Sequence, residues 1–207
     1  MNTVEKTIRS YDEIAEEYCE KTFEEGDREF QKKMLDKTLS MLSNKPRVID
    51  LGCGDGRDTD YLCSKGADVV GVDLSKSMIN LARKKYHDCT FLQMDMRDTI
   101  FPENTFQGAW ASASIINLPK SQLSKAESEI YRILEPNGLF AFSFKEGEGS
   151  GFEDNIIEGY PRYFSYYNLE ELKEELNLFR IVNTEKYPSK IFGSDFIYCW
   201  ARAERNP

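Results

Sequence analysis

The segment "VIDLGCGDGRD", residues 48–58, places an apolar strand directly before a turn that contains Gly52, Gly54 and Gly56. Glycine lets the backbone adopt positive φ and approach a ligand closely, so the arrangement is typical of a nucleotide site. The spacing is G-x-G-x-G, whereas dinucleotide-binding proteins have G-x-G-x-x-G. Asp50 and Asp55 would repel a pyrophosphate by ~1 kcal/mol per charge pair in water and by about 4 kcal/mol near a protein surface. A cationic ligand without phosphate is therefore favoured.

Short apolar strands alternate with helical patterns after residue 46. The predicted strands are 47–51, 68–72, 90–93, 106–112 and 138–145, and the predicted helices are 8–19, 29–42, 56–65, 76–86, 121–134 and 169–175. This alternation predicts an α/β fold with a parallel sheet covered on both faces and a ligand crevice at the carboxyl ends of the strands. The segments 178–187 and 195–203 have no helix between them, which predicts a terminal antiparallel hairpin.

Composition limits the organisation of the chain and its partners. The 207 residues carry a net charge of −9 and no basic run longer than residues 83–85, so nucleic acid is an unexpected partner. We expect one domain over residues 1–207, with helices in 1–45 preceding a core in 46–207. The N-terminus has no signal-peptide pattern and no apolar run reaches membrane-spanning length, so a cytoplasmic protein without a membrane partner is expected.

Metal and disulfide chemistry are not expected from this sequence. His87 is the single histidine and lies in a predicted turn, while the five cysteines are unevenly spaced without a C-x-x-C pair. Histidine-based metal sites and catalytic triads need partners that the chain lacks. We therefore predict no metal site and reduced, mostly buried cysteines.

Acids and apolar side chains after the next two strands fit an adenosyl ligand. Asp73, at the end of "DVVGVD", is placed to accept both ribose hydroxyls. Asp95 in "QMDMRD" is placed to accept the adenine amino group, with the Met96 backbone N–H near a ring nitrogen. Leu74, Met78 and Met96 are expected to sandwich the adenine ring. S-adenosylmethionine has this adenosyl group, an ammonium and a sulfonium, and it has no phosphate.

The combination of "SYDEIAEEY", "VIDLGCGDGRDT", "VGVDLS", "QMDMRD" and "ILEPNGLFAFS" resembles the class I S-adenosylmethionine-dependent methyltransferases of the small methyltransferase-domain type. The resemblance implies a Rossmann-like, doubly wound, seven-stranded sheet of order 3-2-1-4-5-7-6, with strand 7 antiparallel and the N-terminal helices as a lid. It implies that Asp50 and the loop of residues 52–56, with Cys53, hold the methionine part. Asp73, Asp95 and Ala111 belong to the same expected cofactor site.

Two positions depart from the family pattern. The turn before the fifth strand is Pro136-Asn137-Gly138 where proline-glycine-glycine is common, and asparagine tolerates the left-handed geometry that such a turn needs. After the fourth strand, "ASASIINLP" carries Asn117 where relatives often have histidine, so a histidine base is excluded at that position.

The implied reaction is an in-line displacement that moves a methyl group to a small-molecule acceptor, with S-adenosylhomocysteine as product. Orientation and exclusion of water supply much of the rate, so a dedicated base is optional. The candidates for a base are Tyr11, Tyr18, Lys145 and Glu146. The candidates for acceptor binding are Asn117, Arg162 and Tyr163, the last two in a glycine-rich, acidic and then aromatic stretch, residues 145–168, that we interpret either as an acceptor lid or as a solvated loop before core aromatics.

Three alternatives remain open at this point. The alternatives are a protein or nucleic-acid methyltransferase, a nicotinamide dehydrogenase, and a non-catalytic module that binds S-adenosylmethionine. The acidic charge and the absence of an Asn-Pro-Pro-Tyr-like segment oppose methylation of nucleic-acid bases, and the glycine spacing opposes a dehydrogenase. The intact loop and the two nucleoside acids oppose a degenerate module.

Overall fold

The computed structural model describes residues 2–25, 28–154, 156–188 and 195–204. Six α-helices are present in these ranges: α1 Thr3–Glu25, α2 Arg28–Ser40, α3 Arg57–Ser64, α4 Lys76–Lys85, α5 Leu123–Ile133 and α6 Leu169–Glu175. Nine strands accompany them: β1 Arg47–Leu51, β2 Asp68–Asp73, β3 Thr90–Gln93, β4 Phe106–Ala111, β5 Leu134–Glu146, β6 Ser150–Glu153, β7 Arg162–Tyr167, β8 Phe179–Tyr187 and β9 Phe196–Ala203. Two short 3₁₀ helices, Ile115–Asn117 and Lys120–Gln122, connect β4 to α5.

The main sheet has the order β3-β2-β1-β4-β5-β9-β8. The first five strands are parallel, and β9 runs antiparallel to both β5 and β8. The α/β class, the strand order and the terminal antiparallel hairpin predicted from the sequence are thereby confirmed. In the register of the central strands, Asp50 of β1 lies opposite Gly71 of β2 and Trp110 of β4.

A second hairpin enlarges the expected seven-stranded sheet. Strands β6 and β7 pair antiparallel, and β7 continues the sheet beside the last two residues of β5, with Lys145 opposite Tyr166. The sequence predicts either an acceptor lid or a solvated loop before core aromatics over residues 145–168, and it predicts no strand at 150–153 or 162–167. An ion pair between the buried Lys145 Nζ and Glu153, at 2.9 Å, fastens the hairpin to β5.

Aromatic side chains fill the core around the two longest central strands. Phe140, Phe142 and Phe144 of β5 are at most 1% exposed on one face of the sheet. Trp110 of β4 and Trp200 of β9 both lie opposite Ala141 and are buried on the other face. None of the described helices combines the length and apolar character needed to cross a membrane.

Helix α1 is longer than the predicted span 8–19 and lies against α4. At its start, Asn2 Oδ1 accepts from the Glu5 N–H while Glu5 accepts from the Asn2 N–H, both at 2.9 Å. This reciprocal capping box explains the early start of the helix. On the inner side, Asp12 accepts from Ser75 Oγ at 2.6 Å and from the Ser77 N–H at 2.9 Å, which caps the N-terminus of α4.

The turn inside β5 provides a test of local backbone strain. Asn137 has φ of 61°, as the tolerance of asparagine for left-handed geometry predicts. Asn137→Ala is expected to lower the free energy of unfolding by ~1 kcal/mol, since the left-handed region penalises a Cβ that lacks a compensating polar group. Urea denaturation followed by tryptophan fluorescence measures the change. Asn137→Gly is the matched control and should be at least as stable as the wild type; an alanine variant of wild-type stability would contradict the assignment of strain.

Candidate functional site

A cavity of about 290 Å³ lies at the carboxyl ends of β1, β2 and β4. Its walls include the loop after β1, the segments that follow β2, β3 and β4, helices α1 and α2, and residues of β8 and β9. Parallel strands bring their carboxyl ends to one edge of a sheet, where α/β proteins bind ligands. The crevice predicted from the strand pattern is therefore present and is covered by the two N-terminal helices.

The glycine loop borders this cavity with open backbone. Gly52 has φ of 74°, and a Cβ there would lie 2.3 Å from the Ser114 Cβ, so no other residue fits without displacing the segment after β4. Gly54 has φ of 54°, and a Cβ there would meet no protein atom within 4 Å. The backbone at Gly54 is thus left accessible to a ligand that approaches closely.

Asp73 ends β2 and lies in the cavity wall. Its two carboxylate oxygens accept from the backbone N–H groups of Gly54, at 3.0 Å, and Ser75, at 2.8 Å. Burial raises the pKa of Asp73 although these hydrogen bonds oppose the shift. The two bonds fix the carboxylate between the glycine loop and the start of α4, next to the cavity-lining apolar side chains of Leu74 and Met78.

Asp50 lies deeper, at the end of β1, with 2% of its surface exposed. It accepts a hydrogen bond from Thr59 Oγ1 at 2.7 Å. Burial, together with the nearby negative charge of Asp58, raises the pKa of Asp50 well above its usual range. The site therefore keeps a carboxyl group in surroundings that resist its ionisation, which is a common property of functional sites.

Acidic groups dominate the charge of the cavity wall. Among the residues that the structure describes, four aspartates and two arginines line it: Asp50, Asp55, Asp58, Asp73, Arg28 and Arg57. Asp55 is neutralised by Arg57 at 2.8 Å and by Lys85 at 2.7 Å. Burial raises the pKa of Asp55, but hydrogen bonds from these two cations outweigh burial and lower it overall.

Most of the residues predicted for the cofactor line the cavity. They are Asp50, Gly52, Cys53, Gly54, Asp73, Leu74, Met78 and Met96. Ala111 and Asp95 are outside the lining residues. Asp95 instead binds Arg97, which donates from Nε at 2.9 Å and from its backbone N–H at 2.9 Å. Met94, on the other side of Asp95, lies in the wall.

Only some of the residues predicted for catalysis and acceptor binding line the cavity. Tyr11, Tyr18 and Asn117 line the cavity, and the Tyr11 hydroxyl donates to Asn117 Oδ1 at 3.3 Å. Burial raises the pKa of Tyr11. Four further candidates, Lys145, Glu146, Arg162 and Tyr163, lie outside the cavity lining. Among them, Lys145 is paired with Glu153 and Glu146 is paired with Lys186.

A polar network between α2, α3 and β9 was missing from the sequence predictions. Asp58 accepts from Arg28 Nη1 at 3.0 Å, from Gln31 Nε2 at 2.7 Å and from Trp110 Nε1 at 3.0 Å. Tyr198 donates its hydroxyl proton to Gln31 Oε1 at 2.5 Å. These residues are far apart in the sequence, so no local motif connects them.

Aromatic rings lie beside this network. Phe30 stacks on Tyr187 with ring centroids 4.4 Å apart and meets Tyr198 edge-on at 5.7 Å. All three line the cavity. Phe30 lies in the predicted helix 29–42, and periodicity alone does not separate a core position from a cavity wall.

Comparisons with known proteins agree with this geometry. Residues 48–138 match the model of a family described as "Methyltransferase domain". Over these residues the chain is similar to the methyltransferase domain family. This confirms the resemblance inferred from the sequence.

Curated relatives match this chain over about half of its length. An uncharacterized methyltransferase of Synechocystis sp. is 34% identical over 48% of this chain and 47% of its own length. The demethylmenaquinone methyltransferase of Symbiobacterium thermophilum is 34% identical over 45% of this chain and 40% of its own length. This chain thus spans about half the length of the curated relatives that it matches.

A solved structure has the same fold over nearly the whole chain. It is the 1,6-didemethyltoxoflavin-N1-methyltransferase of Burkholderia thailandensis, with bound 1,6-didemethyltoxoflavin and S-adenosylhomocysteine. The TM-score is 0.68 at 21% identity, with coverage of 93% of this chain and 88% of the other. At this identity the similarity establishes the fold.

The raised pKa of Asp50 generates a prediction about stability. Asp50→Asn is expected to raise the free energy of unfolding at neutral pH, because it removes a carboxyl group that ionises more readily in the unfolded than in the folded chain, while the amide oxygen still accepts from Thr59. The pKa of Asp50 is higher in the folded than in the unfolded chain, so the cost of ionisation is absent below about pH 4 and grows as pH rises through the folded pKa.

Urea denaturation at pH 5 and pH 8 tests the sign. The gain from Asp50→Asn should be larger at pH 8. Asp68→Asn, at the exposed opposite end of β2, is the control and should have little effect at either pH. An equal effect of Asp50→Asn at both values, or a loss of stability confined to pH 8, would contradict the assignment.

Proposed function

We propose that the protein is an S-adenosylmethionine-dependent methyltransferase that acts on a small-molecule acceptor. The observation that carries the proposal is one continuous cavity that joins a nucleoside-type site to an aromatic chamber beneath α1 and α2. The nucleoside end is formed by Asp73 and the apolar residues around it, and the chamber by Phe30, Tyr187 and Tyr198.

The residues at the nucleoside end fit an adenosyl group. The Asp73 carboxylate, fixed by two backbone N–H groups, would accept the ribose hydroxyls. Leu74, Met78, Met94 and Met96 line the adjacent wall and would cover the adenine ring with polarizable, apolar surface. Asp95 is not needed for this fit, because its carboxylate is engaged by Arg97.

Charge supports the same ligand class. Asp55 and Asp58 are paired with cations, so Asp50 and Asp73 are the wall carboxyl groups that would favour a positively charged ligand and disfavour a pyrophosphate. Asp50 and the open backbone at Gly54 would hold the methionine portion. When bound, S-adenosylmethionine supplies a methyl group already activated by its sulfonium. The protein then has to orient the acceptor and exclude water.

The polar groups of the chamber would orient the acceptor by hydrogen bonding. Because burial raises the pKa of Tyr11, its phenol stays protonated at neutral pH and does not act as a general base. Its proton is donated to Asn117, so the hydroxyl oxygen would accept a hydrogen bond from the acceptor. Asn117, in contact with Tyr11, offers an amide at the same point of the wall. Tyr11 and Asn117 are therefore assigned to positioning the acceptor.

The chamber favours a flat acceptor with an apolar body. Stacked rings recognise planar groups, and the hydrogen-bonded network around Asp58 and Gln31 forms a polar border to them. The names of two similar proteins give demethylmenaquinone and 1,6-didemethyltoxoflavin as the compounds that they methylate. A small molecule of this kind is the acceptor class that we propose.

Calorimetry with S-adenosylhomocysteine tests the cofactor site. Asp73→Ala is expected to weaken binding about ten- to hundredfold, because it removes charge-assisted hydrogen bonds to the ribose. Asp68→Ala removes a carboxylate from the other end of the same strand and should bind as the wild type does. Binding of NAD but not of S-adenosylhomocysteine, or equal binding by both variants, would contradict the proposal.

A second measurement separates the acceptor chamber from the cofactor site. An acceptor is first identified by release of S-adenosylhomocysteine from a panel of planar phenols, amines and quinols, with a basic protein and an RNA included. Phe30→Ala is then expected to raise the acceptor KM about tenfold through loss of ring contact while the affinity for S-adenosylhomocysteine is unchanged. Phe152→Ala, on the exposed face of β6, is the control. Turnover only with the protein or the RNA would reject the small-molecule assignment.

A further inference from the structure

Arg162 opens β7 and has none of its surface exposed. Its guanidinium carbon lies 4.8 Å from the ring centroid of Tyr18 and 5.4 Å from that of Tyr11, both on α1. The Phe164 ring, at 5.6 Å, closes a third side. A cation enclosed by aromatic faces is attracted by each ring quadrupole, and desolvation strengthens this attraction.

Electrostatics supports a close association between Arg162 and the two tyrosines. Burial lowers the pKa of Arg162, but charge interactions and hydrogen bonds with Tyr11 and Tyr18 raise it overall. The guanidinium therefore remains charged inside the protein. It lies behind the tyrosines, outside the cavity that they line, and so is not placed to bind an acceptor carboxylate directly.

Hydrogen bonds that involve backbone groups connect α1 with the start of β7. Ser10 Oγ of α1 donates to the Pro161 carbonyl at 2.8 Å, and the Tyr163 N–H donates to Thr7 Oγ1 at 3.0 Å. Asn117 Nδ2 donates to the Tyr163 carbonyl at 2.7 Å, and its Oδ1 accepts from the Tyr11 hydroxyl. The start of β7 thus contacts both α1 and the side-chain amide of Asn117.

We propose that Arg162 is a positioning residue that anchors α1 through Tyr11 and Tyr18 and thereby fixes the Tyr11 phenol and the Asn117 amide at the acceptor end of the cavity. The role of this anchor in acceptor and cofactor binding rests on the proposed function. The β6–β7 hairpin, which the seven-stranded plan lacks, is the element that presents this anchor.

Three variants separate anchoring from general stability. Arg162→Met keeps length without charge, and a buried ionic group is often replaced by a similar apolar one without loss of stability. Arg162→Lys keeps the charge without the planar fork. Arg9→Met is the matched control, because Arg9 lies on the exposed side of α1, where 67% of its side chain is accessible.

Hydrogen exchange measured by mass spectrometry reports on the lid directly. Arg162→Met is expected to speed exchange in peptides from α1 at least tenfold while peptides from β1 and β5 exchange as in the wild type. Arg162→Lys should lie between the two, and Arg9→Met should match the wild type. By calorimetry, the Kd for S-adenosylhomocysteine should rise about tenfold in Arg162→Met if the closed lid falls to a tenth of the population.

The outcomes distinguish this inference from the proposed function. Wild-type exchange in α1 of Arg162→Met, with unchanged ligand affinity, would overturn the anchor and leave the methyltransferase proposal intact. Failure of the wild type to bind S-adenosylhomocysteine would overturn that proposal, while the exchange data would still decide the anchor. If Arg162→Met fails to fold, Arg162→Lys decides, and faster exchange throughout both variants would show that Arg162 stabilises the core rather than the lid.

Discussion

The parallel pairing of β1 with both β2 and β4 is the constraint on which the site depends. It brings the carboxyl ends of three strands together, so that Asp50, Asp73 and the segment after Ala111 lie within one crevice although up to 61 residues separate them in the sequence. The two hydrogen bonds that Asp73 accepts from Gly54 and Ser75 join the strand ends through their loops. With these bonds the ligand-facing carboxylate is in place before any ligand binds, which lowers the ordering cost of binding.

Two contacts of different chemical kinds hold helix α1 in place. On one side Asp12 caps the N-terminus of α4, where the helix dipole favours a carboxylate. On the other side aromatic rings of α1 surround the Arg162 guanidinium. Both contacts are made by residues of one amphipathic helix, whose remaining inner side chains form the cavity wall. Helix α1 thereby contributes both to the core and to the wall of the cavity.

Local patterns in the sequence predicted the parts of the structure that depend on local rules. The glycine turn, the apolar strands of the parallel sheet and the left-handed Asn137 each follow from backbone sterics or periodicity. Contacts between distant residues were not predictable in this way. The network of Asp58 with Gln31 and Trp110, the pairing of β7 with β5 and the enclosure of Arg162 depend on tertiary packing.

A crystal structure of the full chain with S-adenosylhomocysteine tests the proposed cofactor site most directly. We expect both ribose hydroxyls within hydrogen-bond distance of the Asp73 carboxylate. The adenine ring should lie against the apolar side chains of Leu74, Met78, Met94 and Met96. The sulfur should be directed toward the chamber lined by Tyr11, Asn117 and Phe30. A ligand bound elsewhere on the protein, or one in this cavity with its ribose away from Asp73, would contradict the central claim that this strand-end carboxylate defines the cofactor site.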